Sequence, residues 1–339
     1  MKRVQVFLIA MFFSGLLAAG ISAAEASASV ERREAEFTSG DVSLAGVLLL
    51  PAGRRNLPGV VIIHGSGASD RTNSWAAGFA TGLAERGFAV LLPDKRGSGR
   101  SGGDWRTADF EALADDAIAG VKRLQQEETV DPRRVGVLGL SQGGHIAPLA
   151  VTRSAEIAFV ISASASTVPI VEQIMDEVEK QAERAGLSPQ QIEEVNALHR
   201  LAIHYGRTGE GWETYMKKLE EARRGSWAGH GIAEGFPDQP DHWVWSWGRM
   251  VADYDPLPYW EKVRVPAALA YGARDTQIRV AKSVARIESL LTGQQQRDIT
   301  ILVFGDSGHA LRHPSTQGIR DDLLDFLHGW AVRASQSGR

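Results

Sequence analysis

Apolar positions along this chain fall into two alternating spacings. Short, nearly unbroken apolar runs recur at Gly59-Val-Val-Ile-Ile63, Phe88 to Leu92, Val135 to Leu140, Ala158 to Ser162, Val265 to Tyr271 and Ile299 to Phe304. Each has the length of a strand buried on both faces. Between them, apolar residues return every three or four positions, as in Phe110, Leu113, Ala117, Val121 and Leu124. That spacing predicts helices at about Trp75–Arg86, Thr107–Glu127, after Ser141, at Val280–Leu291 and at Ile319–Val332. Strand and helix in alternation imply an α/β fold, a mainly parallel sheet with helices on both faces. Ahead of it, Ala35 to Ser39 and Val42 to Leu50 flank Ser39-Gly40-Asp41, a hairpin signal, and Glu25 to about Arg33 reads as a polar linker.

The alternation stops between Ser166 and Asp255. Ile170 to Ala185 has amphipathic spacing and ends at Gly186. Ser188-Pro-Gln-Gln191 then supplies an N-cap, a first-turn proline and a capping-box glutamine for a second helix. Gly211 to Arg224 is helical in pattern, and a Gly/Pro/Trp-rich passage follows. Six of the nine tryptophans (Trp212, Trp227, Trp243, Trp245, Trp247, Trp260) lie in or just after this stretch, as the cap's own core or as pocket walls. The reading is a helical cap, 166–255, inserted in a core formed by 35–165 plus 256–335.

The first residues have targeting character. Lys2 and Arg3 precede an apolar run to about Leu17, and small residues lead to Ala24 and Ala26. This predicts a signal peptide over about 1–24 and an exported protein, periplasmic or secreted. An uncleaved anchor is the alternative, since Val4 to Ala24 could just span a bilayer. Losing Lys2 and Arg3 would take the formal charge from −4 to −6. No basic block interleaved with aromatics appears, so no nucleic-acid partner is expected. With no cysteine, disulfides, a thiol nucleophile and Cys-ligated zinc are excluded.

The chemistry centres on Gly139-Leu-Ser-Gln-Gly143, where a strand runs through a Gly-x-Ser-x-Gly turn into a helix. The turn exposes Ser141 and points the first free N–H groups of the helix, that of Gln142 among them, at whatever the serine attacks. The five-residue pattern occurs again at Gly99-Arg-Ser-Gly-Gly103, inside a run of turn formers with no strand ending at Ser101, which marks the second match as a decoy. A serine hydroxyl needs a base, itself oriented by a carboxylate. Asp275 and His309 each follow an apolar strand through a short loop, so both would stand with Ser141 at the carboxyl edge of the sheet, in the order Ser, Asp, His. Asp306 competes with Asp275 but sits only three residues before His309, which suits a turn. His64 reads as a loop-holding residue and His145 as packing. His309 and His313 have zinc-pair spacing without the rest of such a motif, and Pro314 ends any helix there. Asp253 and Asp255 read as caps or ion-pair partners. Lys95, Arg96 and Arg100 read as a charged surface loop pairing with Asp94 or Asp104, with contact to an anionic substrate as the alternative. Pro148, inside the helix after Ser141, has no physical account.

Several blocks occur together: His64-Gly-Ser-Gly67, Asp94-Lys-Arg-Gly-Ser-Gly-Arg-Ser101, Ser141-Gln-Gly-Gly-His-Ile-Ala-Pro148 and Asp253-Tyr-Asp-Pro256. In these the chain resembles α/β-hydrolase-fold serine hydrolases, in particular the bacterial exported esterase and serine-aminopeptidase-like branch with an inserted cap. The likeness covers about residues 35–335. It implies Ser141 as nucleophile, Asp275 as acid and His309 as base, with the N–H groups of Ser66 and Gln142 as an oxyanion hole. His64, Gly65, Gly67, Gly139 and Gly143 would support the loops. The implied reaction is hydrolysis of carboxylic esters with small or medium acyl or aryl groups, with no cofactor and no metal. A serine peptidase or thioesterase on the same triad is the alternative. A non-catalytic binding protein of this fold is disfavoured because the triad residue types and both glycine turns are intact.

Overall fold

The computed structural model describes residues 6–8, 29–291 and 298–337. The expected signal segment 1–24 lies outside the described residues except for β1 (Val6–Leu8), which pairs parallel with Ile301 to Val303. The hairpin is present and longer than its apolar pattern. β2 (Val30–Ser39) and β3 (Val42–Pro51) pair along their whole length, from Val30 opposite Pro51 to Ser39 opposite Val42. Four residues of the expected polar linker, 30–33, therefore belong to a strand. β2 is a sheet edge whose side chains mostly face water, so the backbone ladder holds it without an apolar signature.

The sheet continues through β4 (Leu57–Ile63), helix α1 (Ser74–Glu85), β5 (Ala89–Pro93), α2 (Phe110–Gln125), β6 (Val130–Leu140), α3 (Gln142–Arg153) and β7 (Val160–Ala163). The helices α4 (Ile170–Arg184), α5 (Pro189–Thr208), α6 (Trp212–Arg224), α7 (Trp243–Val251) and the short α8 (Leu257–Trp260) follow. Then come β8 (Ala267–Gly272), α9 (Val280–Leu291), β9 (Ile299–Phe304) and α10 (Asp321–Ser337). Strand order is β1-β9-β8-β7-β6-β4-β5-β3-β2, parallel except where β3 meets β2 and β5. Register makes the site edge level: Ile63 lies opposite Gly139, Leu140 opposite Ala163, Ala163 opposite Ala270 and Gly272 opposite Phe304. The loops that leave these strands consequently emerge side by side, beyond the carboxyl ends where ligands bind in such sheets.

Both faces are covered. On one, Phe110, Val121, Ile146, Ala147 and Ile287 pack against Val61, Val137 and Leu269. On the other, Phe79, Leu83, Leu323 and Leu327 cover Val60, Ile62, Leu138 and Ile161. Local chemistry sets the helix starts. Asn73 accepts from the N–H groups of Trp75 and Ala76 at 3.1 Å, and Asp109 accepts from Ala112 at 2.8 Å. Ser188 and Gln191 form the reciprocal capping box that the sequence predicts, with Pro189 in the first turn.

The four longer helices between β7 and β8 carry a cluster of their own, which includes Val178, Val195, Leu198, Tyr215, Leu219, Trp227 and Trp245. α7 lies in what the sequence showed only as a Gly/Pro/Trp-rich passage. Its tryptophans at 243, 245 and 247 alternate with period two, which hides the helical repeat.

Candidate active site

The turn between β6 and α3 is built by steric necessity. Ser141 sits at φ +50°, ψ −118°, a backbone region non-glycine residues rarely occupy. A Cβ on Gly139 would stand 2.2 Å from the carbonyl oxygen of Gly143, and one on Gly143 would stand 2.1 Å from that of Ile63. Only glycine lets the strand, the turn and the neighbouring strand pass so closely. The serine that results projects at the carboxyl edge of the sheet, with the N-terminus of α3 beneath it.

Asp275 follows β8 and is buried to 3% exposure. One carboxylate oxygen accepts from the N–H groups of Gln277 (2.8 Å) and Ile278 (3.1 Å), which leaves the other to face the next loop. That loop, after β9, carries His309. Its Nδ1 lies 2.7 Å from Asp275 Oδ2, and its Nε2 lies 3.1 Å from Ser141 Oγ. A carboxylate can only accept, so Nδ1 carries the proton and donates it to Asp275. Nε2 then presents its lone pair to the Ser141 hydroxyl. Residues 141, 275 and 309, far apart in sequence, form one continuous line of hydrogen bonds. The indole of Trp75 tilts against the His309 ring at 5.4 Å between centroids. A cavity of about 300 Å³ opens beside them, lined by His64, Gly65, Ser66, Ser141, Gln277 and His309 among others.

His64 does not enter this line. Its Nε2–H donates to Pro93 O at 2.6 Å, its Nδ1 accepts from the Ser69 hydroxyl at 2.8 Å, and burial pushes its pKa down. It holds the Gly65–Gly67 loop. His145 is buried, tilted against Phe110, and driven by burial to a pKa of about 4. His313 takes the hydroxyl of Ser315. Asp306 pairs with Arg320, away from His309. The decoy Ser101 donates to Asp94 O at 2.7 Å and accepts from Ala45 N at 2.9 Å, so its hydroxyl is committed to turn structure. Asp253 pairs with Arg207, and Asp255 caps Leu257 N–H and pairs with Arg286.

The reading of 95–100 as a surface loop paired with Asp94 or Asp104 is overturned at Lys95. Asp94 is engaged by the Arg71 guanidinium through two bonds of 2.9 and 2.8 Å, by the Arg71 N–H at 3.0 Å and by the Arg100 N–H. Asp104 pairs with Arg106, Arg96 with Asp116, and Arg100 with Glu34 and Glu36. Lys95 turns inward to 8% exposure and donates to Gly65 O, Gly67 O and Gln142 Oε1. A lysine inside a run of turn formers carries no sequence signal for burial.

A second cavity, of about 520 Å³, lies among α4, α5 and α7. Its walls are mostly apolar, Ile170, Ile174, Ile203, Trp243 and Trp247 among them. Three of the six tryptophans in or just after residues 166–255 (Trp243, Trp245, Trp247) line it. Glu177 lines it too. Burial pushes that carboxyl up; it lies on α4 three residues before Lys180, whose Nζ donates to Asp275 O.

Residues 57–185 match the family described as serine aminopeptidase, S33. Esterase EstD of Thermotoga maritima is 25% identical over 273 residues, which are 79% of this chain and 58% of that enzyme. The chain thus spans under two thirds of that relative's length. Among solved structures, the Pyrococcus furiosus esterase Pf2001 superposes with a TM-score of 0.59 at 19% identity, over 94% of this chain and 96% of that one. The α/β hydrolase GrgF from a Penicillium species gives 0.59 at 17% identity, over 90% and 99%. Likeness at such identity bears on the fold.

Proposed function

From the premise that this chain is an α/β-hydrolase-fold protein, we propose that it is a serine hydrolase that cleaves carboxylic esters by two-step acyl transfer. The observation that carries this reading is the unbroken line from Ser141 Oγ through the His309 ring to the buried Asp275 carboxylate. His309 Nε2 takes the hydroxyl proton as Oγ attacks the ester carbonyl. The N–H groups of Ser66 and Gln142 receive the oxyanion. His309 then returns its proton to the departing alcohol, and a water, activated by the same ring, releases the acyl group. Asp275 keeps the imidazole in the productive tautomer and balances its charge in the transition state.

A fluorophosphonate probe tests this. Wild type should be labelled at Ser141 and lose 4-nitrophenyl ester turnover, while Ser141→Ala should remain unlabelled and about 10⁴-fold or more slower. Labelling at Ser101, or full turnover by Ser141→Ala, would reject it.

Glu177 favours a second reading, an aminopeptidase. A carboxylate in the wall of the apolar cavity would hold a substrate ammonium, and the matched family description agrees with that use. Release of 4-nitroaniline from aminoacyl anilides, without turnover of simple esters, would decide for it. The charged start and apolar run support a further proposal, export with removal of about residues 1–24. N-terminal sequencing that finds Met1 on the mature protein would reject that.

A further inference from the structure

Among the described residues, Lys95 is an ammonium buried without a carboxylate partner. Its Nζ donates to Gly65 O at 2.9 Å, Gly67 O at 3.1 Å and Gln142 Oε1 at 3.0 Å, and the Trp105 ring closes over it at 5.6 Å. Three donors thus meet three neutral acceptors. The adjacent Asp94 is held by Arg71 and Arg100 and offers Lys95 no bond. Burying a cation among neutral groups is costly, and burial accordingly lowers its pKa to about 8. A leucine would fill the same space more cheaply. What the ammonium holds explains its presence.

In a trans peptide the C=O and the next residue's N–H point in opposite directions. Gripping Gly65 O from behind therefore aims the Ser66 N–H the other way, toward the cavity that Ser66 shares with Ser141. The same charge polarises that peptide and strengthens its N–H as a donor. The third bond reaches Gln142, the first residue of α3, whose own N–H has no intrahelical acceptor. One cation thus grips the peptide that carries the Ser66 N–H and the side chain of the residue that carries the other N–H expected to receive an oxyanion. They belong to different loops, and among the described residues Lys95 is a direct tie between them.

We propose that Lys95 is a positioning residue that locks the N–H groups of Ser66 and Gln142 into a single oxyanion site. This rests on the serine hydrolase reading above. The test compares wild type, Lys95→Met and Lys95→Arg on 4-nitrophenyl butyrate and with an aryl trifluoromethyl ketone, which forms a tetrahedral adduct on the serine. Lys95→Met should lower kcat about 100-fold, the scale of losing one oxyanion donor. Its KM should stay within about twofold, because the bonds form only in the transition state. Affinity for the ketone should fall by the same factor as kcat, and Lys95→Arg should recover about tenfold of both because a charged donor is retained. Thermal melts identify folded protein. If Lys95→Met does not fold, Lys95→Arg and Gln142→Met, which removes one acceptor, are read for the same joint loss of kcat and ketone affinity. A kcat loss without weaker ketone binding, or wild-type values for both, overturns the positioning role alone. Turnover that persists in Ser141→Ala overturns the hydrolase reading and this role with it.

Discussion

At the scale of single residues, chemistry is obtained here by holding groups where they are least comfortable. Ser141 carries a side chain at a backbone geometry suited to glycine, with Gly139 and Gly143 unable to accept a Cβ on either side. That conformation costs on the order of 1–3 kcal/mol, offset by the packing around it. Ser141→Gly should consequently be more stable than Ser141→Ala by about 1 kcal/mol, although glycine normally loses more entropy on folding than alanine. Both variants should lack turnover, so the comparison isolates strain. Urea midpoints that place the alanine variant above the glycine variant would show that the turn stores none. The strain also explains what could be read in advance. Gly-x-Ser-x-Gly is the record of a steric demand, and steric demands leave residue types behind. The Lys95 contacts leave none: a lysine that bonds carbonyl oxygens looks, in sequence, like a lysine in water.

At the scale of elements, the legible parts were those apolar on both faces, those whose two faces differ in polarity, and those whose ends carry chemical caps. β4, β5, β8 and β9 announce themselves as apolar runs, and α5 through Ser188 and Gln191. The start of β2 stayed hidden because a backbone ladder needs no apolar side chains, and α7 because its tryptophans alternate like a strand. α4 shows how the helices between β7 and β8 are joined to the site. Ile170, Ile174 and Val178 face the larger cavity, while its polar side is fastened to the segment that follows Asp275. There Lys180 Nζ donates to Asp275 O (2.5 Å) and Ile278 O (2.8 Å). Arg279 pairs with Asp176, Glu179 and Glu183, and Lys282 with Glu172 and Asp176. Such partly exposed contacts contribute little to stability, so Lys180→Met should cost about 1 kcal/mol or less. Its effect should fall on rate. With the Asp275 loop released at one carbonyl, kcat should drop about tenfold at nearly constant KM, since misplacing the acid loosens the imidazole it orients. A drop in melting temperature with kcat intact would mean that the contact merely staples α4 in place.

At the scale of the whole molecule, burial favours the neutral form of interior groups unless bonded partners hold the charge, and this sets how stability follows pH. Burial pushes His145 to about 4, and His199 likewise; His64 is also lowered by burial. In the unfolded chain each would titrate near its ordinary value of about 6.5. Between pH 6.5 and 4 the unfolded chain therefore binds protons that the fold refuses, and stability must fall as pH falls through that window. Each of the two histidines at about 4 would contribute on the order of 3 kcal/mol by the bottom of it. Carboxylates act lower. Burial alone would raise Asp94, but the Arg71 guanidinium and the N–H groups of Arg100 and Arg71 outweigh it and hold the carboxyl below its ordinary range. Its stabilising share is complete above about pH 4 and is lost only as pH drops through the lowered value. The two classes separate by pH, so urea unfolding at pH 8, 6.5, 5 and 4 should show most of the loss already at pH 5. Because His145 contributes only while it is buried and neutral, His145→Met, which cannot titrate, should remove one histidine's share of the slope between 6.5 and 4 and leave the slope below 4 in place. A wild-type midpoint that stays level from pH 7 to 4.5 would mean that these rings find protons, and partners, inside the fold.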